Sequence, residues 1–173
     1  RGQERWLDEV YGLKTFLEAH GGVIDRKSLS KSIALYQRAW RALVRLAEMR
    51  SQGFLSSMWF MLIANVFFYD AVERWIEAAE KVCETSRTAA GSTARVFLAG
   101  SPVFLPNFKV PHLLEDAGLL VVADDLCSSE RIFPGAVAVG DTSLFGLMRA
   151  LAQRYHQGCL CPTFIDNDRR INS

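Results

Sequence analysis

RVFLAG, residues 95–100, and LLVVAD, residues 119–124, are the two stretches whose reading decides the fold. Each is a short, continuous apolar run, the pattern of a strand covered on both faces and not of an alternating, half-exposed one. Between them, PNFKVPHLLEDAG (residues 106–118) has room for one helix. Pro111 suits its beginning, where no amide donor is needed, and Gly118 suits its end. Strand, helix and strand in this order predict a β-α-β unit with parallel strands and a right-handed crossover.

Upstream of this unit the apolar period is helical. Trp6, Val10, Leu13 and Leu17, with Phe16 beside them, share one stripe until Gly21-Gly22 ends the segment. Leu29, Ile33, Tyr36, Trp40, Leu43 and Ala47 mark a second helix, capped by Asp25 or Ser28, with Lys31, Arg38, Arg41, Arg45 and Arg50 placed on its other faces. That basic surface is either solvated or able to attract phosphates. A third helix begins at Ser56 or Ser57, and a fourth runs from about residue 69 to residue 85 on Val72, Trp75, Ile76, Ala79 and Val82. Cys83 reads as a small core or boundary residue. SRTAAGSTA (residues 86–94) is a small, polar linker, FPGAVAVG (residues 133–140) is a loop, and residues 143–155 form a further helix capped by Asp141 or Thr142. The expected class is α/β, an N-terminal helical segment (1–86) and a linker (87–94) followed by a Rossmann-like parallel β-α-β half-domain (95–173). The start at Arg1 and the stop at Ser173, where NDRRINS begins to look helical, lead us to expect a fragment of a longer protein.

Composition narrows the classes of function. With 173 residues, half of them hydrophobic, the chain can bury a core, and a net charge of +1 gives no basic footprint for a polynucleotide. The longest apolar run, MWFMLIANVFF (residues 58–68), is too short to span a bilayer and lacks the features of a secretion signal. Four cysteines, Cys83, Cys127, Cys159 and Cys161, are too few for a secreted disulfide scaffold, so a cytoplasmic protein without nucleic-acid or membrane partners is expected.

Candidate chemistry gathers where strands end, because ligands of open α/β sheets bind beyond the carboxyl ends of the strands. After the first strand come Gly100-Ser101-Pro102, then Asn107 and Lys109: a glycine-led turn lets amides and a hydroxyl approach a ligand, and the lysine can meet an anion. Read plainly, the same residues are a turn and a surface lysine. No dinucleotide or P-loop glycine pattern is present. After the second strand, Asp124 and Asp125 can orient a ligand hydroxyl, cap the turn or pair with Arg131, while Cys127 can be a metal ligand, a nucleophile or a packed thiol. GCLCPTFIDNDRRI (residues 158–171) offers Cys159 and Cys161, thiolates that suit zinc or an iron-sulfur cluster, with Cys127 and His156 as local additions. His20, His112 and His156 are scattered, and no triad is indicated.

Three ordered patterns, AGSPVFLPNFKVPHLLEDAG, LVVADDLCSSERIF and RYHQGCLCPTFIDNDRRI, resemble the 2-hydroxyacyl-CoA dehydratase and benzoyl-CoA reductase family over residues 92–173. ALYQRAWRALVRLAEMR (residues 34–50) agrees with the family's helical half more loosely. The resemblance implies a subunit that contributes part of an acyl-CoA and cluster pocket, as part of a dehydratase (a lyase) or an acyl-CoA reductase of anaerobic metabolism. It implies a 4Fe-4S cluster in the full-length protein, a related second subunit in a heterodimer, and an ATP-dependent activator. Ser101, Pro102, Asn107, Lys109, Asp124, Asp125 and Arg131 become substrate-binding candidates, and Cys127 and Cys161 metal-binding candidates. One departure stands out: the family's Cys-Thr-Gly turn is here Cys127-Ser128-Ser129, without glycine. That departure motivates an alternative, a diverged, non-catalytic partner or electron-transfer subunit of the same fold. A small zinc module is a third reading.

Overall fold

A computed structural model describes residues 2–85, 94–132 and 135–158. The expected linker and the Cys159–Cys161 segment lie outside these residues. Six helices, two strands and a 3-10 turn occur among those described: α1 (Gly2–Ala19), α2 (Arg26–Ser51), α3 (Ser57–Val66), α4 (Val72–Glu84), β1 (Ala94–Ala99), α5 (Lys109–Asp116), β2 (Leu119–Asp125), the turn Glu130–Ile132, and α6 (Leu144–Gln157). The described residues fall into two compact units, one of residues 2–37 with 135–158, the other of residues 38–85 with 94–132.

In the first unit, α1 packs on α6. Ile33, Val137, Leu147 and Ala150 form a small core with Leu29 and Leu151 against it. Two side chains tie the 135–140 segment to helices: Gln37 Nε2 donates to Val137 O at 2.7 Å and Arg154 Nε to Gly135 O at 2.7 Å. Asp25 caps α2, its carboxylate accepting from Ser28 N at 2.7 Å while Ser28 Oγ accepts from Asp25 N at 3.0 Å. The cap of α6 is Ser143, not Asp141 or Thr142. Its hydroxyl accepts from Gly146 N at 3.0 Å, and Asp141 stands one step back, accepting from Ser143 N and Oγ at 2.8 and 2.7 Å. The apolar stripe of α1 is real but stays in the open: none of its residues is buried, and Leu13 and Phe16 are 58% and 59% exposed.

The second unit holds the β-α-β element. β1 and β2 pair in parallel from Ala94↔Leu119 to Ala99↔Asp125, with one extra residue on β2 opposite the Val96/Phe97 step. Helix α5 starts at Lys109, two residues ahead of Pro111, which lies in the first turn where its missing amide costs no bond. Gly118, at φ +75°, ends it, donating to Glu115 O at 2.9 Å. Both α3 and α5 pack on β2, and Val121 is fully buried there. The expectation that both strands are covered on two faces holds for β2 but not for β1, where Phe97 is 62% exposed. An apolar run states that a strand needs cover; it does not place that cover among the neighbouring helices.

Helix α2 turns a different face inward than the sequence suggests. From Ala39 onward the buried positions are Ala39, Ala42, Leu43, Leu46 and Arg50, while Tyr36 is exposed. The outward arginines meet acid: Arg38 pairs with Glu80 of α4, and that hydrogen bond, aided by Arg41 and Arg45, holds the Glu80 carboxyl below its usual range. A solvated ion pair, and not a phosphate site, therefore accounts for Arg38.

The amino terminus of α3 is closed from two sides. Ser56 Oγ accepts from Trp59 N at 3.2 Å, and Glu115 of α5 reaches across to accept from Ser57 N and Met58 N at 2.5 and 3.1 Å. A carboxylate here satisfies orphan amides and faces the positive end of the helix. Glu115→Ala should lower unfolding stability by about 1–2 kcal/mol, read as a shift of the urea midpoint at unchanged slope; a shift under half that size would show that water caps α3 equally well.

Candidate functional site

Because Ala99 and Asp125 are register partners, the segments following β1 and β2 leave the sheet along one edge. The first, residues 100–108, opens with Gly100 at φ +151°, and a Cβ added there would meet no atom within 4 Å, so the backbone lies open at this point. Ser101, Pro102, Asn107 and Lys109 are all exposed, with Lys109 as the first residue of α5. In the second segment Leu126, Ser128 and Ser129 are buried, Cys127 is exposed, and Glu130 and Arg131 are half-buried.

Asp124 is fully buried and its carboxylate is occupied. It accepts from Arg50 Nη1 at 2.5 Å, Ser129 Oγ at 2.7 Å and Leu126 N at 3.0 Å. Arg50, equally buried, also pairs through Nη2 with Glu130 and lays its guanidinium 4.1 Å from the centre of the Phe60 ring. One cation thus serves two carboxylates. Burial pushes the Glu130 carboxyl above its usual range; the Arg50 charge opposes that shift and the Asp124 charge adds to it.

Asp125 turns the other way. Its Oδ1 lies 3.1 Å from Arg131 Nε, and Arg131 Nη2 donates to Cys127 Sγ at 2.8 Å. Cys127 is exposed, so it is not a packed thiol. Of the readings open for the acidic pair, Asp124 caps the turn and Asp125 pairs with Arg131. The structure brings the half-buried Asp125 and Arg131 together with the exposed Cys127 and buries the neighbouring Asp124.

Ser128 and Ser129, which replace the family's Thr-Gly, are fully buried. Ser129 is bound to Asp124, and Ser128 Oγ both donates to Val103 O at 2.8 Å and accepts from Val103 N at 2.9 Å, joining the two segments. Asn65 of α3 adds to the junction, donating to Ser128 O at 3.0 Å and accepting from Leu105 N at 3.4 Å. The sequence reading missed Arg50, Asn65, Glu130 and the roles of both serines. A signal for Arg50 exists: Ala39, Leu43, Leu46 and Arg50 share one helical stripe, which places a charge on the buried face.

Among the described residues no group of three or more His, Cys, Asp or Glu side chains could hold a metal. A 4Fe-4S cluster needs about four ligands, usually thiolates. The described part of the site contributes one exposed thiol, Cys127. These residues do not by themselves compose a cluster site, and Cys159 and Cys161 lie outside them.

Parallel strands ending in a charged, partly exposed edge define an α/β protein of the kind that binds ligands beyond its strand ends. The whole chain, residues 1–173, matches the family model of the 2-hydroxyglutaryl-CoA dehydratase D-component, and the chain belongs to that family. It is thus a 2-hydroxyacyl-CoA dehydratase-type subunit. A search of curated proteins found no match. No helix among the described residues is long and apolar enough to cross a membrane.

Two measurements test the buried charges. Arg50→Met should cost roughly 3–5 kcal/mol, because it strands Asp124 without its cation; a loss under about 1 kcal/mol in urea unfolding would refute that dependence. For Glu130, the folded state holds the proton more tightly than the unfolded chain. Its contribution is therefore favourable below the ordinary value of 4.5 and is lost as pH rises through the raised one. Glu130→Gln should gain on the wild type as pH climbs from roughly 4 to 8, with parallel urea midpoints across that span as the contrary result.

Proposed function

We propose that the edge formed by residues 100–109 and 125–131 is the acyl-CoA-facing wall of a dehydratase or reductase subunit. Ser101, Pro102 and Asn107 would line it with a hydroxyl and open backbone. Lys109, at the first turn of α5, would meet phosphate or thioester oxygen. Asp125 and Arg131 would orient the acyl portion, with Asp124 fixing the turn from below. Cys127 would offer one sulfur ligand toward a 4Fe-4S cluster whose remaining ligands, Cys161 among them, lie beyond the described residues. That cluster would supply low-potential electrons for chemistry at the thioester.

The observation that carries this reading is the trio of Asp125, Arg131 and Cys127 at the end of β2, where a half-buried Arg131 lies between a half-buried carboxylate and an exposed sulfur. Family membership adds the class of reaction. A related second subunit, an ATP-dependent activator and a cytoplasmic, anaerobic setting belong to the same proposal. The missing glycine no longer favours a diverged, non-catalytic subunit, because Ser128 and Ser129 point inward and make bonds of their own.

Anaerobic purification of the full-length protein tests the proposal. Iron and acid-labile sulfide should be present in roughly a 4:4 ratio and should fall in Cys127→Ser, and 2-hydroxyglutaryl-CoA should bind. Arg131→Ala should weaken that binding about tenfold or more, the scale of one charge-assisted contact. An iron-free protein that binds no CoA thioester would sink the reading.

A further inference from the structure

Ser101, Pro102, Asn107 and Cys127 sit on two segments of irregular backbone, and such segments do not keep a fixed mutual geometry unless something holds them. Here the hold is specific. Ser128 Oγ contacts both backbone polar groups of Val103, accepting from N at 2.9 Å and donating to O at 2.8 Å. A single hydroxyl thus completes with side-chain atoms the pair of bonds that two strands would make with backbone. Asn65 spans the same junction from α3: its Nδ2 donates to Met61 O at 2.9 Å and Ser128 O at 3.0 Å, and its Oδ1 accepts from Leu105 N. Ser128 and Asn65 are both fully buried. A buried polar group left without its partners is costly, so the segments cannot separate cheaply.

We propose that Ser128 and Asn65 are positioning residues, a clamp that fixes the 101–108 segment against the 126–129 turn and so sets the distance between the Ser101–Lys109 and Asp125–Arg131 sides of the acyl-CoA wall. The inference rests on the function proposed above. The Ser128 hydroxyl bonds across to Val103, and the side chain that carries it is turned inward.

Hydrogen exchange and ligand binding on the full-length protein test it together. In the wild type the Val103 and Leu105 amides should exchange at least about tenfold more slowly than the Ser101 amide, although none lies in a helix or strand. Ser128→Ala should speed Val103 exchange and raise the dissociation constant for 2-hydroxyglutaryl-CoA, each by about tenfold, the worth of one to two hydrogen bonds. Ser128→Thr, which keeps the hydroxyl, should restore both. A purely structural role would lower the thermal midpoint of Ser128→Ala and leave its affinity at the wild-type value, which would overturn the inference alone. Rapid Val103 exchange in the wild type would overturn it without any variant. A wild type that binds no CoA thioester would overturn the acyl-CoA reading and the clamp's purpose with it.

Discussion

The guanidinium of Arg50, buried between Asp124 and Glu130 and over the ring of Phe60, is the constraint on which the described site depends. Removing an ion from water costs several kcal/mol, and only close, well-hydrogen-bonded partners offset that cost. Arg50 stands at the last turn of α2, Asp124 at the end of β2 and Glu130 in the turn beyond it, so the offset requires all three elements at once. The triad adds little net stability over a well-packed apolar alternative. A slip of β2 along its neighbours would leave one of these charges unpaired in the interior.

Above this anchor, inward and outward residues alternate. Asp124, Leu126, Ser128 and Ser129 are buried, whereas Cys127 is exposed and Asp125 and Arg131 are half-buried. Neighbours one residue apart therefore answer to different demands. The inward set satisfies hydrogen bonds and fills space; the outward set joins Asp125, Arg131 and Cys127 to one another. A serine in place of glycine belongs to the first demand, and it says nothing against chemistry on the other side of the backbone.

Much of the fold is legible in the sequence because the signals are local. RVFLAG and LLVVAD mark the parallel strands, Gly118 marks the end of the crossover helix, and Asp25 and Ser56 mark caps that the hydrogen bonds bear out. The failures come where a residue's partner is distant. Phe97 and the α1 stripe have the right period, but period names a face and not what covers it. The charge of Arg50 argues for an outward position, although positions 39, 43, 46 and 50 share one stripe and Arg50 is buried. Its carboxylate partners lie 74 and 80 residues away, a separation that no local spacing encodes. The serines were read against a missing glycine, and their bonds across to Asp124 and Val103 become visible only once the two segments are brought together.

Arg131 shows how narrow the outward chemistry is. Its guanidinium forms an ion pair with Asp125 on the Nε side and donates to Cys127 through Nη2, so one rigid, planar cation meets a carboxylate and a sulfur in different directions. A lysine at this position has a single nitrogen on a flexible stem and cannot hold both. The carboxylate fixes the guanidinium, and the guanidinium in turn points a donor at the sulfur, so Cys127 is oriented although it is exposed. The acidic pair at the end of β2 thus divides: Asp124 holds the fold to Arg50, and Asp125 pairs with the arginine that donates to the thiol.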